Sequence, residues 1–404
     1  MAQLAMAPLL ALALAVFVGP AHATATPFAV AAYLPEWRYE GANWEVISAH
    51  TSHLIIFSLE VARVPAGGAG SLIGALDRIP RPELLEQARA AADRHGTKLL
   101  ICFGGNGRSD GFSPMVRSAA LRRRFVAELV ALCDEYGFDG VDYNWEYPGY
   151  AFGTGYKAQP EVDADYAGLR GLLEDTHAAF EGSGRAITMA YYPDGRQESL
   201  FAAGGYAQWV DLMHMMAYDQ SGEHHSTLEF GRKVAAQGAK LLPAPQVTLG
   251  LPFYGRDSAT GDWVTYEDIV QQYPIKPSTD SVTKKGTGGK VSLGFNGVQT
   301  IRAKVRYAIE LGLGGVMIWE VGQDCRLEPV THGTETHVRT CPPKEDGGDN
   351  RSLLVAITRE MAKGGVVLPA AAAAAGAAEA GAAAAAAADE QAPDTGAAAT
   401  KTEL

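Results

Sequence analysis

Phe138-Asp-Gly-Val-Asp-Tyr-Asn-Trp-Glu-Tyr-Pro148 is an apolar and aromatic run that carries an acid or an amide at every second position from Asp142 onward. Side chains of an extended strand alternate between its two faces. Asp142, Asn144 and Glu146 therefore share one face, about 6.6 Å from one same-face residue to the next, while Tyr143 and Trp145 share the other. A row of this kind is expensive to bury unless neighbours or a ligand satisfy it. The segment thus reads as a covered strand whose polar edge serves a site.

Similar runs flank it. Phe28–Leu34, His53–Val61 and Lys98–Phe103 precede it, and Ala186–Tyr192, Val210–Tyr218, Gln246–Tyr254 and Gly315–Glu320 follow. Near-continuous apolar character fits strands covered on both faces. Helical spacing falls between the runs, over Pro82–His95, Ser118–Tyr136, Asp163–Phe180 and Val298–Leu311, and Gly96 and Gly137 act as stops. Alternating strands and helices imply a parallel sheet. About eight units fit an α/β fold of the closed (β/α)8 TIM barrel type better than an open sheet. The alternative, a doubly wound nucleotide-binding sheet, lacks its fingerprint. Gly104-Gly105-Asn106-Gly107 follows a strand but has neither the three-glycine spacing nor a phosphate-loop lysine.

The 404 residues carry 34 Lys+Arg against 46 Asp+Glu, a net charge of −12. That balance argues against a nucleic-acid binder, whose affinity comes from clustered Lys and Arg. Leu9–Val18 is a short apolar run followed by Ala21-His22-Ala23, a secretory signal pattern over 1–23, with a buried N-terminal helix as the alternative. No further segment is apolar for the length of a bilayer span, so no membrane span is expected. The barrel is assigned to 24–365, and 366–404 to an alanine-rich tail with no stripe that could anchor it to a core. The tail ends in Lys401-Thr402-Glu403-Leu404, which resembles the Lys-Asp-Glu-Leu address for retention in the endoplasmic reticulum. Of the four cysteines, Cys325 and Cys341 lie 16 apart in a polar stretch, and pairing them would stabilise by about 3 kcal/mol. Cys102 and Cys133 read as small buried hydrophobes.

Catalytic groups of a barrel sit at the C-terminal ends of its strands. Tyr33/Glu36/Trp37, Gly104/Gly105, Asp142/Asn144/Glu146, Tyr218/Asp219, Tyr254/Arg256 and Trp319/Glu320 all fall there. A cation site from Asp142, Glu146 and Asp219 is the rival reading. One strand rarely supplies a whole cage, so neither metal nor cofactor is assigned. The acidic strand resembles the Asp-x-x-Asp-x-Asp-x-Glu signature of family 18 glycoside hydrolases, the chitinase-like barrels. Asp139, Asp142, Asn144 and Glu146 occupy its positions, with Asn144 where the family has Asp. Tyr33-Leu-Pro-Glu-Trp37, Phe57, Ile101-Cys-Phe-Gly-Gly105, Met216-Ala-Tyr-Asp219, Gly250-Leu-Pro-Phe-Tyr-Gly-Arg256 and Gly315-Val-Met-Ile-Trp319 resemble the ends of further strands in order.

The resemblance implies hydrolysis of β-1,4 bonds in chitin or other N-acetylglucosamine polymers, assisted by the substrate's own acetamido group. It makes Glu146 the acid/base, with Asp142, Asn144 and Tyr218 completing the catalytic set. Tyr33, Phe57, Gly104, Gly105, Tyr147, Met216, Asp219, Tyr254, Arg256 and Trp319 become the sugar-contacting set, with Trp319 as the apolar floor. The partner is a chitooligosaccharide, and the chain is read as a secreted monomer. Asn144 cannot become an anion, so it cannot help neutralise an oxazolinium ion, and it removes a like-charge neighbour of Glu146. A lectin that keeps the cleft but not turnover therefore stands as the competing class. Only 59 positions separate Arg256 from Gly315. At most a remnant of the α+β insertion common in the family is expected there, with Lys284–Lys290 as a loop and the cleft shallow. His224-His225 reads as a surface loop.

Overall fold

The computed structural model describes residues 26–64, 68–286, 289–326, 330–332, 335–337, 341 and 351–374. The expected leader, the tail from 375 and its Lys401–Leu404 ending lie outside them. Eight parallel strands close on themselves: β1 (Ala29–Pro35), β2 (His53–Val61), β3 (Lys98–Gly104), β4 (Gly140–Asn144), β5 (Ala186–Tyr191), β6 (Leu212–Met215), β7 (Val247–Pro252) and β8 (Gly315–Trp319). Each strand pairs with the next, and β8 pairs with β1 from Gly315↔Ala29 to Ile318↔Ala32, which completes the cylinder. The expected (β/α)8 barrel is therefore the fold.

A helix follows every strand: α1 (Trp44–His50), α2 (Pro82–His95), α3 (Ala119–Tyr136), α4 (Gln159–Phe180), α5 (Arg196–Gly204), α6 (Leu228–Leu241), α7 (Val298–Glu310) and α8 (Leu353–Lys363). The four helices legible in the sequence recur within a few residues of their expected bounds. α4 starts a turn earlier, where Pro160 stands in its first turn. The other four are short or interrupted by glycine, as by Gly231 and Gly238 in α6, which blurs their period.

Two apolar layers hold the barrel. The larger lies between strands and helices and includes Leu54, Ile101, Val141 and Leu249 from the strands and Phe125, Leu172 and Ile301 from the helices. Full burial of each such side chain contributes about 1.5–3 kcal/mol. The smaller fills the barrel interior with Ala31, Tyr33, Ile55, Leu100, Cys102 and Met317, and the site stands on top of it. Val366–Val367, at the head of the expected tail, pairs in parallel with Thr26–Pro27 at the opposite end of the barrel.

Between β7 and β8 lies a compact unit rather than bare loop. Its antiparallel sheet runs Trp263–Thr265, Tyr254–Asp257, Gly289–Gly294 and Ser281–Gly286, with a helix at Tyr266–Gln272. Lys284–Lys290 is thus no loop. Lys284 pairs with Val291 and Lys285 with Lys290 across a hairpin. Its lysines, glycines and serines hid it, since only Val282, Val291 and Leu293 of the hairpin are apolar.

Candidate active site

The alternation read from the fourth strand holds. Tyr143 points outward, where its hydroxyl meets Thr176 Oγ1 on α4 at 2.8 Å, and Trp145 stacks on Phe112 with centroids 5.1 Å apart. Asp142 and Asn144 point inward and are buried. Asp142 has both oxygens occupied, by the Tyr33 hydroxyl at 2.8 Å and by Thr188 Oγ1 at 2.7 Å. Burial raises its pKa, and these hydrogen bonds oppose the rise. Asp139, the first acid of the run, instead ties strands at the far end of the barrel. Its Oδ2 accepts from Leu99 N at 2.7 Å and from Arg89 at 2.5 Å.

Glu146 stands one step above Asn144, partly exposed, and lines a cavity of about 250 Å³ with Asn144, Tyr147, Met216, Tyr218, Asp219 and Trp319. Burial pushes its carboxyl up to about 7. Hydrogen bonding with Asn144 lowers it, while the negative charge of Asp219 raises it. Desolvation, helped by Asp219, thus supplies the raised pKa that a second acid at position 144 would have reinforced. Asn144 Oδ1 is buried and has no hydrogen-bond partner among the described residues. A buried acceptor left bare costs about 1–3 kcal/mol, and it belongs to a residue of the cavity lining.

The cavity floor is aromatic. Trp319 packs on Phe57 at 4.7 Å and on Tyr33 at 5.5 Å. Phe57 falls where the β2–β3 register shifts between Ile56 and Leu59, a bulge of the kind that re-aims side chains beside active sites. The expected Gly104 and Gly105 act through their backbone. At φ 102 a Cβ on Gly104 would lie 2.4 Å from the Asn144 carbonyl oxygen, and at φ 106 one on Gly105 would lie 2.4 Å from the Phe57 ring. They let strand and ring approach, and neither lines the cavity. Tyr218 points in, its hydroxyl 3.7 Å from Met317 Sδ, a weak acceptor. Tyr254 is buried behind Asp219 and donates to its Oδ1 at 2.7 Å, and Arg256 donates to the same oxygen at 3.0 Å. Tyr33, Tyr254 and Arg256 therefore brace the site from outside the cavity lining.

Other groups complete the wall. Arg108, paired with Glu36 at 2.6 Å, lies over the rings of Trp37 at 5.6 Å and Phe57 at 5.2 Å. Asn106, Tyr192 and Trp263 also line the cavity. Trp263 comes from the inserted sheet, stacked on Tyr254 at 4.5 Å, a placement the strand series could not give. His214, on β6, points into the barrel interior with Nδ1 2.8 Å from Thr248 Oγ1. Its strand position was legible, but its chemistry was not singled out. Beyond Glu146 and Tyr147, which form a shared wall, a second depression of about 620 Å³ is lined by Ser109, Asp110, Tyr150 and Lys157. Glu146 thus lines both depressions.

His224-His225 is not on a surface loop. His225 is buried, its Nε2 donating to the Tyr254 carbonyl at 3.1 Å, and His224 meets the Phe295 carbonyl at 2.7 Å. The pair joins the inserted unit to the barrel. No group of three or more His, Cys, Asp or Glu that could hold a metal ion occurs among the described residues. Cys325 and Cys341 form a disulfide, and Cys102 and Cys133 are buried free thiols.

A closed barrel whose buried Asp142 and Asn144 lead up to a partly exposed Glu146 in an aromatic-floored cleft defines the class as a glycosidase-type barrel. The family model of glycosyl hydrolases family 18 matches residues 29–324, and the chain belongs to that family. It is 25% identical over 314 residues to Chitinase A1 of Niallia circulans, covering 62% of this chain and 45% of that protein. It is 24% identical over 304 residues to Probable chitinase 2 of Drosophila melanogaster, covering 61% of each. The chain thus spans about half to two thirds of the length of these curated relatives. Among solved structures, catalytic domain 2 of the Group II chitinase of Ostrinia furnacalis aligns with a TM-score of 0.63 at 20% identity, covering 83% of this chain and 97% of that one. Chitinase ChiA74 of Bacillus thuringiensis aligns with a TM-score of 0.65 at 19% identity, covering 85% and 71%. No helix among the described residues is long and apolar enough to cross a membrane.

Proposed function

We propose that this chain hydrolyses β-1,4 bonds in chitin or related N-acetylglucosamine polymers, with Glu146 as acid/base and the substrate's acetamido group as nucleophile. The observation that carries the reading is the Glu146 carboxyl, raised to about 7 in the wall of the cleft. Such a group is protonated when substrate binds and becomes a base once the leaving group has gone. The names of the relatives, and the Ostrinia furnacalis domain solved with an N-acetylchitooligosaccharide, support the substrate class.

In the first step the acetamido oxygen bonds to the anomeric carbon of its own ring while the glycosidic bond breaks. The Glu146 proton goes to the leaving oxygen, and an oxazolinium ion forms. In the second step the Glu146 carboxylate takes a proton from water as the water oxygen bonds to the anomeric carbon and the oxazoline opens, with retention. Asn144 accepts the acetamido N–H on its bare Oδ1, and Tyr218 donates to the acetamido oxygen. Trp319 floors the sugar, with Phe57, Met216 and Tyr147 around it. Asp142 orients the row from below. Asp219 flanks the sugar, held by Tyr254 and Arg256.

The neutral Asn144 favours a second reading, a chitooligosaccharide-binding lectin, because it withholds the anion that would balance the oxazolinium charge. Release of product from chitotetraose, with binding measured beside it, separates the two. Wild type is expected to turn over where Glu146→Gln binds without turnover; equal rates in both would leave the lectin. The Leu9–Val18 run and the Cys325–Cys341 disulfide support a secretory location, where thiols oxidise.

A further inference from the structure

Asp219, which lines the cavity, has φ 59. A non-glycine residue in that left-handed region is held there by its surroundings. Tyr254 and Arg256 hold its Oδ1, and a third group faces the same oxygen. Nε2 of buried His225 donates to the Tyr254 carbonyl, so the neutral ring carries its proton there and leaves Nδ1 bare. That Nδ1 has no hydrogen-bond partner among the described residues and stands 3.5 Å from Asp219 Oδ1. A nitrogen lone pair against a carboxylate oxygen repels it, whereas a protonated nitrogen makes a charge-assisted hydrogen bond.

The backbone that carries the ring is pinned, and the ring itself is buried and bonded to the Tyr254 carbonyl. The His225 carbonyl accepts from Gln220 N at 3.0 Å. The next residue, Ser226, donates to the Ala217 carbonyl at 2.7 Å. Its own carbonyl and hydroxyl accept from the buried Lys304 Nζ at 3.0 and 2.7 Å.

We propose that His225 is a positioning residue for the reaction: by taking a proton on Nδ1 it bonds Asp219 Oδ1 and fixes that carboxylate in the wall it shares with Glu146. The inference rests on the hydrolase reading for its effect on turnover, though not for the pairing itself. The groups that face His225 are Asp219 from the end of β6, Tyr254 from the inserted sheet, His224 stacked at 6.1 Å, and Arg256 through Asp219. Burial lowers the affinity of His225 for a proton, Asp219 and the Tyr254 carbonyl raise it, and His224 lowers it. The balance falls below the ordinary histidine value. Burial raises the Asp219 pKa, but His225, Tyr254 and Arg256 outweigh it, so its carboxylate stays charged. Proton uptake, and with it the clamp, therefore belongs to the acid side of neutrality.

Two measurements test this. The first is the pH profile of kcat/KM on a fluorogenic chitobioside for wild type and His225→Gln. Their ratio is expected near one at pH 8 and to grow to about tenfold at pH 5; a ratio constant across pH marks a merely structural role and overturns the proposal. The second needs no turnover: the His225 imidazole is titrated by NMR in wild type and in Asp219→Asn. Its pKa is expected to fall by about one unit or more in the variant; an unchanged value denies the pairing. A wild type inert on the chitobioside would defeat the hydrolase reading and leave this titration to decide the pairing.

Discussion

Glu146 owes its protonation near neutrality chiefly to burial, and Asp219 adds to it. The first step of the proposed mechanism needs the acid form. That form is lost as pH rises through about 7, so kcat/KM is expected to fall about tenfold for each pH unit above it. A profile flat to pH 9 would show that another group delivers the proton. Asn144 lies directly beneath, with its buried Oδ1 lacking a partner among the described residues. Asn144→Asp places a second carboxylate beside Glu146, which moves the alkaline limb upward and supplies the anion the oxazolinium needs. Turnover is expected to rise by about 10²-fold; no gain in steady-state kinetics would show a site adapted to the amide. Alternation along one strand was enough to place Asp142, Asn144 and Glu146 together. The roles of Gly104 and Gly105 were not legible, because their need for positive φ comes from Phe57 and the Asn144 carbonyl, far away in sequence.

At the scale of elements, the eight strands and four of the connecting helices announced themselves, and the inserted unit did not. Parallel strands covered on both faces are apolar throughout, and that signal survives without knowledge of neighbours. The inserted hairpin at Ser281–Gly294 is polar outward and sends few apolar side chains, Leu293 chief among them, into the core, so its lysines and glycines read as loop. His224-His225 looked exposed because its burial depends on that unit lying over it. One buried lysine joins these pieces, its pKa lowered by burial to about 7. Lys304 on α7 donates to Ser226 and to Asn296 Oδ1 at 2.7 Å, with no part of it exposed. Lys304→Met leaves those acceptors bare and is expected to lower stability by about 3 kcal/mol in denaturant unfolding. An unchanged midpoint would show that the loop carrying His225 is held by packing alone.

For the molecule as a whole, barrel closure comes from the eight strands, and the Cys325–Cys341 disulfide adds a restraint just after β8. Closing a loop of 16 residues contributes about 3 kcal/mol. Replacing both cysteines by serine is therefore expected to lower the melting temperature without altering the pH profile of turnover. A shifted profile would tie the disulfide to the cleft. All of the proposed chemistry converges on retention at the anomeric carbon, because the acetamido group and the water attack the same carbon from opposite faces in turn. Proton NMR of the first product released from chitotetraose tests that most directly. The β-anomer should dominate before mutarotation, and a predominance of the α-anomer would contradict the mechanism proposed for Glu146 and its row.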